Sequence, residues 1–211
     1  GAVEKHITET AFENGWVQPP QPVAERSESV GIIGAGPAGL AAADMLRQQG
    51  YQVTIYDRYD RVGGLLIYGI PGFKLEKHVV ERRHKLLADG GVTFQLNVNI
   101  GTDRSFEDVR AAHDAVLIAT GVYKARDISV PGVGLGGVVP ALDYLTASNR
   151  KSLGDEVAAF ESGELNAEGR NVVVVGGGGG GVVVLVVGGG GAVVLARVFG
   201  GFVQDVVVGG V

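Results

Sequence analysis

"VGIIGAGPAGLAAADMLRQQGYQVTIYD", residues 30–57, decides the fold. Residues 30–33 form an apolar run of the length of a buried strand. Gly34, Gly36 and Gly39 follow in the spacing Gly-x-Gly-x-x-Gly, at the opening of an alanine-rich helix over 38–49 that ends at Gly50. Gly34 permits the tight turn, Gly36 lets a pyrophosphate approach the backbone, and Gly39 lets helix and strand pack closely. The helix N-terminus adds N–H donors and partial positive charge. A second strand over 53–56 ends at Asp57, 18 residues after Gly39, near the offset of an acid that holds a ribose hydroxyl pair. Strand, turn, helix, strand and acid together specify a dinucleotide site. They do not choose between NAD and FAD.

The alternation continues outward. Leu75, Val79, Leu86 and Leu87 place an apolar stripe on a helix before Gly90-Gly91, and Val92, Phe94 and Leu96 alternate with polar residues as a half-buried strand. Ser105 with Asp108 opens a short helix, and residues 115–119 read as the next strand. This pattern predicts a parallel sheet covered on both faces. Upstream, Val3, Ile7 and Phe12 share one face of a helix, and the prolines of "VQPPQPVAERSES" make a linker.

Composition narrows the function. The 211 residues carry 18 Lys+Arg and 23 Asp+Glu, a net charge of −5, which gives no reason to expect a nucleic-acid or anionic-membrane surface. There is no cysteine, so disulfides and thiolate metal sites are excluded within this chain. No signal peptide is visible and the apolar runs are too short to span a bilayer, so the expected location is the cytoplasm. His6, His78, His84 and His113 lack metal-ligand spacing and read as surface or capping residues. The charged "EKHVVERRHK" reads as a solvated helix face, and Tyr68 and Phe73 read as packing residues rather than flavin-stacking ones.

Residues 171–211 are different: 14 of 41 are glycine and 17 are valine. "NVVVVGGGGGG" begins as a strand and a glycine turn at Gly176, Gly177 and Gly178, the start of a second βαβ unit. Successive glycines cannot open the helix that should follow, since each costs about 1 kcal/mol relative to alanine. The segment is either a real low-complexity stretch or, the reading we favour, one in which the residues after about Gly178 stand in for other side chains, among them an Asp-Thr-Ala-like stretch.

Asp57 with Gly63-Gly64, and Ala119-Thr120-Gly121 after a later strand, resemble the FAD domain of flavoproteins with two dinucleotide-binding domains. More closely, "TAFENGWVQP", "YDRYDRVGGLLIYGIPGFKLEK", "VVERRHKLLADGGV", "LIATGVYKARD" and "ALDYLTASN" resemble the small (beta) subunit family of bacterial NADPH-dependent glutamate synthases, over about residues 3 to 178. The resemblance implies an α/β fold: an FAD-binding Rossmann-like parallel-sheet domain over 28–165, after a helix and linker over 1–27, and the start of an NADPH-binding Rossmann-like domain over 166–211. It implies that Gly34, Gly36, Pro37, Ala38 and Gly39 line the FAD pyrophosphate and that Asp57 holds the ribose. Gly63, Gly64 and Leu65 would pack beside the flavin, with Ala119, Thr120 and Gly121 closing the site and Lys74 nearby. Gly176, Gly177 and Gly178 would lie beneath NADPH. Hydride passes from nicotinamide to flavin N5, which requires no protein acid or base, so no catalytic residue is expected.

The family also carries two [4Fe–4S] clusters on cysteines upstream of the matching region, and pairs with a large (alpha) subunit that holds FMN and a [3Fe–4S] cluster. The chain is expected to start after those cysteines and to stop inside the second domain, and to work in a hetero-oligomer. The rival readings are a related FAD/NAD(P)H electron-input subunit serving another acceptor (ferredoxin or pyrimidine reduction) and a non-catalytic FAD-holding interaction module.

Overall fold

The computed structural model describes residues 1–122, 136–175 and 183–187. The chain divides into two compact units, one of residues 1–67 and 76–121, the other of residues 68–75 and those from Val122 on.

The first unit opens with helix α1 (Ala2–Glu13), followed by the proline linker. Strand β1 (Ser29–Ile33), helix α2 (Pro37–Gln48) and strand β2 (Gln52–Tyr56) form the βαβ core. Then come the short helix α3 (Leu65–Tyr68), which runs to the unit boundary, helix α4 (Lys77–Asp89), strand β3 (Thr93–Gln95), helix α5 (Phe106–Ala112) and strand β4 (Ala115–Ile118). The four strands are all parallel, in the order β3-β2-β1-β4.

Two clusters cover the two faces of this sheet. Val30, Ile32, Val53 and Ile55 pack with Leu40 and Ala43 of α2 and Leu87 of α4. Ile33 and Tyr56, on the opposite face by strand alternation, pack with Val109 of α5. Helices on both faces are what a parallel sheet requires, because each strand must bury two sides.

Helix boundaries follow local chemistry. Pro37 supplies the first helical position of α2, where its missing N–H costs nothing. Gly50 follows the C-cap at φ +92°, and a Cβ there would lie 2.1 Å from the Ala24 carbonyl oxygen, so glycine also lets the linker pack past the helix end. Helix α4 begins at Lys77, and its buried residues are Val80 and Leu87; Leu75 falls outside it, and the apolar stripe is shifted from the one expected. "EKHVVERRHK" is not simply solvated. Arg82 donates to both carboxylate oxygens of Glu9 at 2.7 and 2.8 Å and lies over the Phe12 ring at 3.6 Å, and Arg83 pairs with Asp44 at 2.6 Å. Trp16 takes no part in this docking and is exposed.

A buried cation ties the linker to the core. Arg47 is 8% exposed, donates to the Gly90 carbonyl at 2.7 Å and forms a bidentate pair with Glu25.

In the second unit, strand β5 (Val138–Pro140) leads into helix α6 (Ala141–Ser152), followed by the short helix α7 (Ala158–Glu161) and strands β6 (Asn171–Val175) and β7 (Val183–Val187). Buried Asn149 donates to the carbonyls of Tyr68 and Leu145, both at 2.9 Å, and Arg150 lies over the Tyr68 ring. Tyr68 is a packing residue, as expected; Phe73 is exposed.

The strand over 171–175 is present, but the βαβ continuation is corrected. Strand β7 pairs antiparallel with β6 from Asn171↔Val187 to Val175↔Val183, and antiparallel with β5. Two valine-rich runs favour strand over helix, and the seven residues 176–182 between them are too few for a parallel crossover, which takes about a dozen or more. The expectations at Gly176, Gly177 and Gly178 lie outside the described residues. Among the described residues, no helix is long and apolar enough to cross a membrane.

Leu87 has no exposed surface. Leu87→Ala should cost about 2–5 kcal/mol, read as a lower urea midpoint with an unchanged slope. Val3→Ala, at a residue 71% exposed, should leave the midpoint unmoved.

Candidate dinucleotide site

The site is built around one peptide, that of Ala35, between β1 and α2. Its N–H donates to Asp57 Oδ2 at 2.6 Å, and its carbonyl accepts from the Gly63 N–H at 2.9 Å. The acid and the Gly63-Gly64 loop, 22 and 28 residues away in sequence, are thereby joined to the glycine turn. Gly34 is tied in as well, donating its N–H to the Tyr56 carbonyl at 2.7 Å.

Each glycine of the motif has a measurable reason. Gly34 sits at φ +114°, and a Cβ would lie 2.4 Å from the Ala119 carbonyl oxygen. At Gly39 a Cβ would lie 2.0 Å from the Gly34 carbonyl oxygen, so only glycine lets α2 approach the turn. Gly36 differs: a Cβ there would meet nothing within 4 Å. Packing against the chain does not require glycine at this position, which is the N-cap of α2, and the space beside it is open to a group approaching the turn from outside. Pro37 and Ala38 beside it are exposed, and α2 has no side-chain cap, so its first N–H groups face that same open space. Oriented donors and the helix dipole suit a pyrophosphate there.

Asp57 does more than the motif suggested. Besides Ala35, it accepts from the Tyr59 N–H at 2.9 Å through Oδ1, and it is buried, 9% exposed. Both oxygens therefore already hold backbone, while a carboxylate keeps further lone pairs for a ligand. Gly63 is held at φ +124° with a Cβ position 2.5 Å from Val80 Cγ1, and Gly64 at φ +54° leads into α3 at Leu65. Ala119 continues β4 by donating to the Ile33 carbonyl at 2.8 Å; Thr120 and Gly121, the latter at φ +70°, lie exposed beyond it.

The structure thus brings together Gly34, Gly36, Pro37, Ala38, Gly39, Asp57, Gly63, Gly64, Leu65, Ala119, Thr120 and Gly121 in the first unit. Lys74 belongs to the second, where its N–H donates to the Pro71 carbonyl and its ammonium lies 5.9 Å from the Phe73 ring centre.

Sequence reading missed the groups behind the turn. His113 is the C-cap of α5, in keeping with a capping role, but its Nε2 also lies 2.9 Å from the Tyr56 hydroxyl. His84 is not a plain surface residue either: it packs edge-on against Phe94 at 4.5 Å, and burial lowers its pKa from the usual histidine value. Neither contact has a sequence signal, since the partners are 57 and 10 residues away.

Comparison with known proteins is consistent with this geometry. The model of the family described as "Pyridine nucleotide-disulphide oxidoreductase" matches residues 28–190. The chain is 68% identical over 173 residues to a putative glutamate synthase (NADPH) small chain of Cereibacter sphaeroides, covering 82% of this chain and 41% of that protein. It is 65% identical over 173 residues to the glutamate synthase (NADPH) small chain of Azospirillum brasilense, covering 82% and 36%. The chain therefore spans well under half the length of these relatives. Among solved structures, Mycobacterium tuberculosis FprA in complex with NADPH aligns with a TM-score of 0.54 at 24% identity, over 59% of this chain and 29% of that one, a likeness of fold.

Gly36→Ala and Gly39→Ala should separate ligand space from packing space. Gly39→Ala should destabilise the unit, because the Gly34 carbonyl must move. Gly36→Ala should cost no more than the small N-cap difference between glycine and alanine, well below the loss at Gly39, while weakening ligand binding. Asp57→Ala would leave the Ala35 N–H, which is wholly buried, without an acceptor, at a cost of about 1–3 kcal/mol by chemical denaturation.

Proposed function

This chain belongs to the pyridine nucleotide-disulphide oxidoreductase family, and on that premise we propose that it is the electron-input part of an NADPH-dependent glutamate synthase small subunit. The site would take FAD, with its pyrophosphate above Gly36 and the N-terminus of α2. The observation that carries the pyrophosphate placement is the vacant Cβ position of Gly36 beside a turn whose other two glycines are packed against backbone, and the choice of FAD rests on the resemblance of Asp57, Gly63-Gly64 and Ala119-Thr120-Gly121 to FAD domains. Asp57, beyond its two backbone bonds, would accept from the adenosine ribose; Gly63, Gly64 and Leu65 would flank the flavin side, with Ala119, Thr120 and Gly121 at the end of β4.

FAD held here would supply a two-electron acceptor for hydride from NADPH and a donor to one-electron carriers. The part of this chain is positional. The glycine turn presents N–H donors without side-chain bulk, Asp57 and Gly63 keep that turn rigid, and no side chain here has to move a proton. No step is routed through the second nucleotide site, because Gly176, Gly177 and Gly178 lie outside the described residues.

The identity of 68% and 65% to small chains named for glutamate synthase supports the acceptor side of the reading. In the complete subunit, electrons would pass through [4Fe–4S] clusters to a large (alpha) subunit carrying FMN and [3Fe–4S], for glutamate formation from glutamine and 2-oxoglutarate, in a cytoplasmic hetero-oligomer. This chain has no cysteine, so cluster ligands must come from other sequence.

The purified complex should be yellow, and FAD should be released on denaturation in about one equivalent per small subunit. Gly36→Ala should lower that content while circular dichroism stays unchanged. A groove that holds NADP or remains empty in a complex saturated with FAD would sink the assignment.

A further inference from the structure

On the sheet face covered by α5, Tyr56, His113 and Arg104 form a cluster that the cofactor reading leaves unused. The His113 imidazole lies across Gly31 of β1, where a Cβ would sit 2.6 Å from its Cδ2. Its Nε2 is 2.9 Å from the Tyr56 hydroxyl, and the two rings meet edge-on at 5.8 Å. Arg104 donates to the same hydroxyl at 3.4 Å, with its guanidinium 5.2 Å from the Tyr56 ring centre. Tyr56 is 2% exposed. Asp114 does not serve the imidazole by hydrogen bond; its carboxylate accepts from the Ser29 N–H at 2.7 Å and the Ser29 hydroxyl at 3.3 Å.

Among the described residues, the buried His113 Nδ1 has no hydrogen-bond partner. A charged imidazole carries N–H on both nitrogens. In the neutral tautomer that donates from Nε2 to the Tyr56 hydroxyl, Nδ1 carries no hydrogen, so protonation would place an N–H there without an acceptor and add a cation beside Arg104. Tyr56 is also the residue whose carbonyl holds the Gly34 N–H, and whose successor, Asp57, holds the Ala35 N–H.

We propose that His113 is a positioning residue for the dinucleotide site: the neutral imidazole, through the Tyr56 hydroxyl, fixes the end of β2 that carries the glycine turn, and protonation of the ring loosens cofactor retention. This rests on the reading that FAD occupies the turn. Burial first, and Arg104 next, hold the His113 pKa below the usual histidine value, with Asp114 opposing. A base whose folded value is depressed is neutral in the folded protein where the free residue would begin to charge. Binding that needs the neutral ring is therefore undiminished at neutral pH and weakens only as the pH falls below the ring's folded-state pKa, which lies below the usual histidine value.

The test is FAD affinity of the full chain against pH, by flavin fluorescence, with circular dichroism as a control on folding. In the wild type, affinity should be level near neutral pH and then fall roughly tenfold per pH unit on further acidification, the change that follows when binding must expel about one proton. His113→Gln keeps a polar group toward Tyr56 and cannot charge; it should match wild-type affinity at neutral pH and lose the pH dependence. Tyr56→Phe should weaken binding at neutral pH and also flatten the profile. A wild-type profile already flat, or one that His113→Gln leaves unchanged, would overturn the inference while leaving FAD at the turn. Failure of the wild type to bind FAD at any pH would remove the cofactor reading, and this inference with it.

Discussion

The hydrogen bond from the Ala35 N–H to the Asp57 carboxylate is the contact on which the site depends. It joins the end of β2 to the turn after β1, in a place where water cannot substitute as donor or acceptor. A buried N–H left unpaired costs the full desolvation of that group, so the turn and the acid are held in register. The Gly63 N–H on the Ala35 carbonyl extends the constraint to the loop before α3. The three segments are thus aligned by their own hydrogen bonds, and a ligand held by them would bind at a lower ordering cost.

The same economy appears in the three motif glycines, which are not equivalent. Gly34 and Gly39 are required by backbone packed at 2.4 and 2.0 Å from where a side chain would begin, and both serve the fold. Gly36, the N-cap of α2, has open space where a side chain would begin. The division explains how a motif of common residues can be specific: two positions draw the helix onto the sheet, and the third keeps its N-terminus open to phosphate.

Charge is used in the first unit mainly to join segments. Arg47 fastens the linker and the end of α4 at once, and Arg82 fastens α1 through Glu9 and Phe12. The Glu9 carboxyl is held below its usual pKa chiefly by its hydrogen bonds to Arg82. Helix α1 has no buried residue of its own, so these contacts, and not a shared apolar core, set its position. The exposed pair Val3 and Ile7 is left on its N-terminal half.

The sequence by itself determined the βαβ core, the glycine turn and the identity of the acid, because strand and helix periodicity, glycine spacing and the Asp57 offset are local properties. It also located Gly63-Gly64 and Ala119-Thr120-Gly121, through resemblance of whole runs. Only the tertiary structure decided which atoms Asp57 holds, that Gly36 is the one glycine of the motif with open space at its Cβ position, that Arg82 and Arg83 bind neighbouring helices, and that His113 backs Tyr56. It also turned the valine run after Gly178 into an antiparallel strand, where the motif had promised a helix. The reason is common to all of these: each depends on what lies across the sheet or beside the helix, from residues tens of positions away, and periodicity carries no information about such partners.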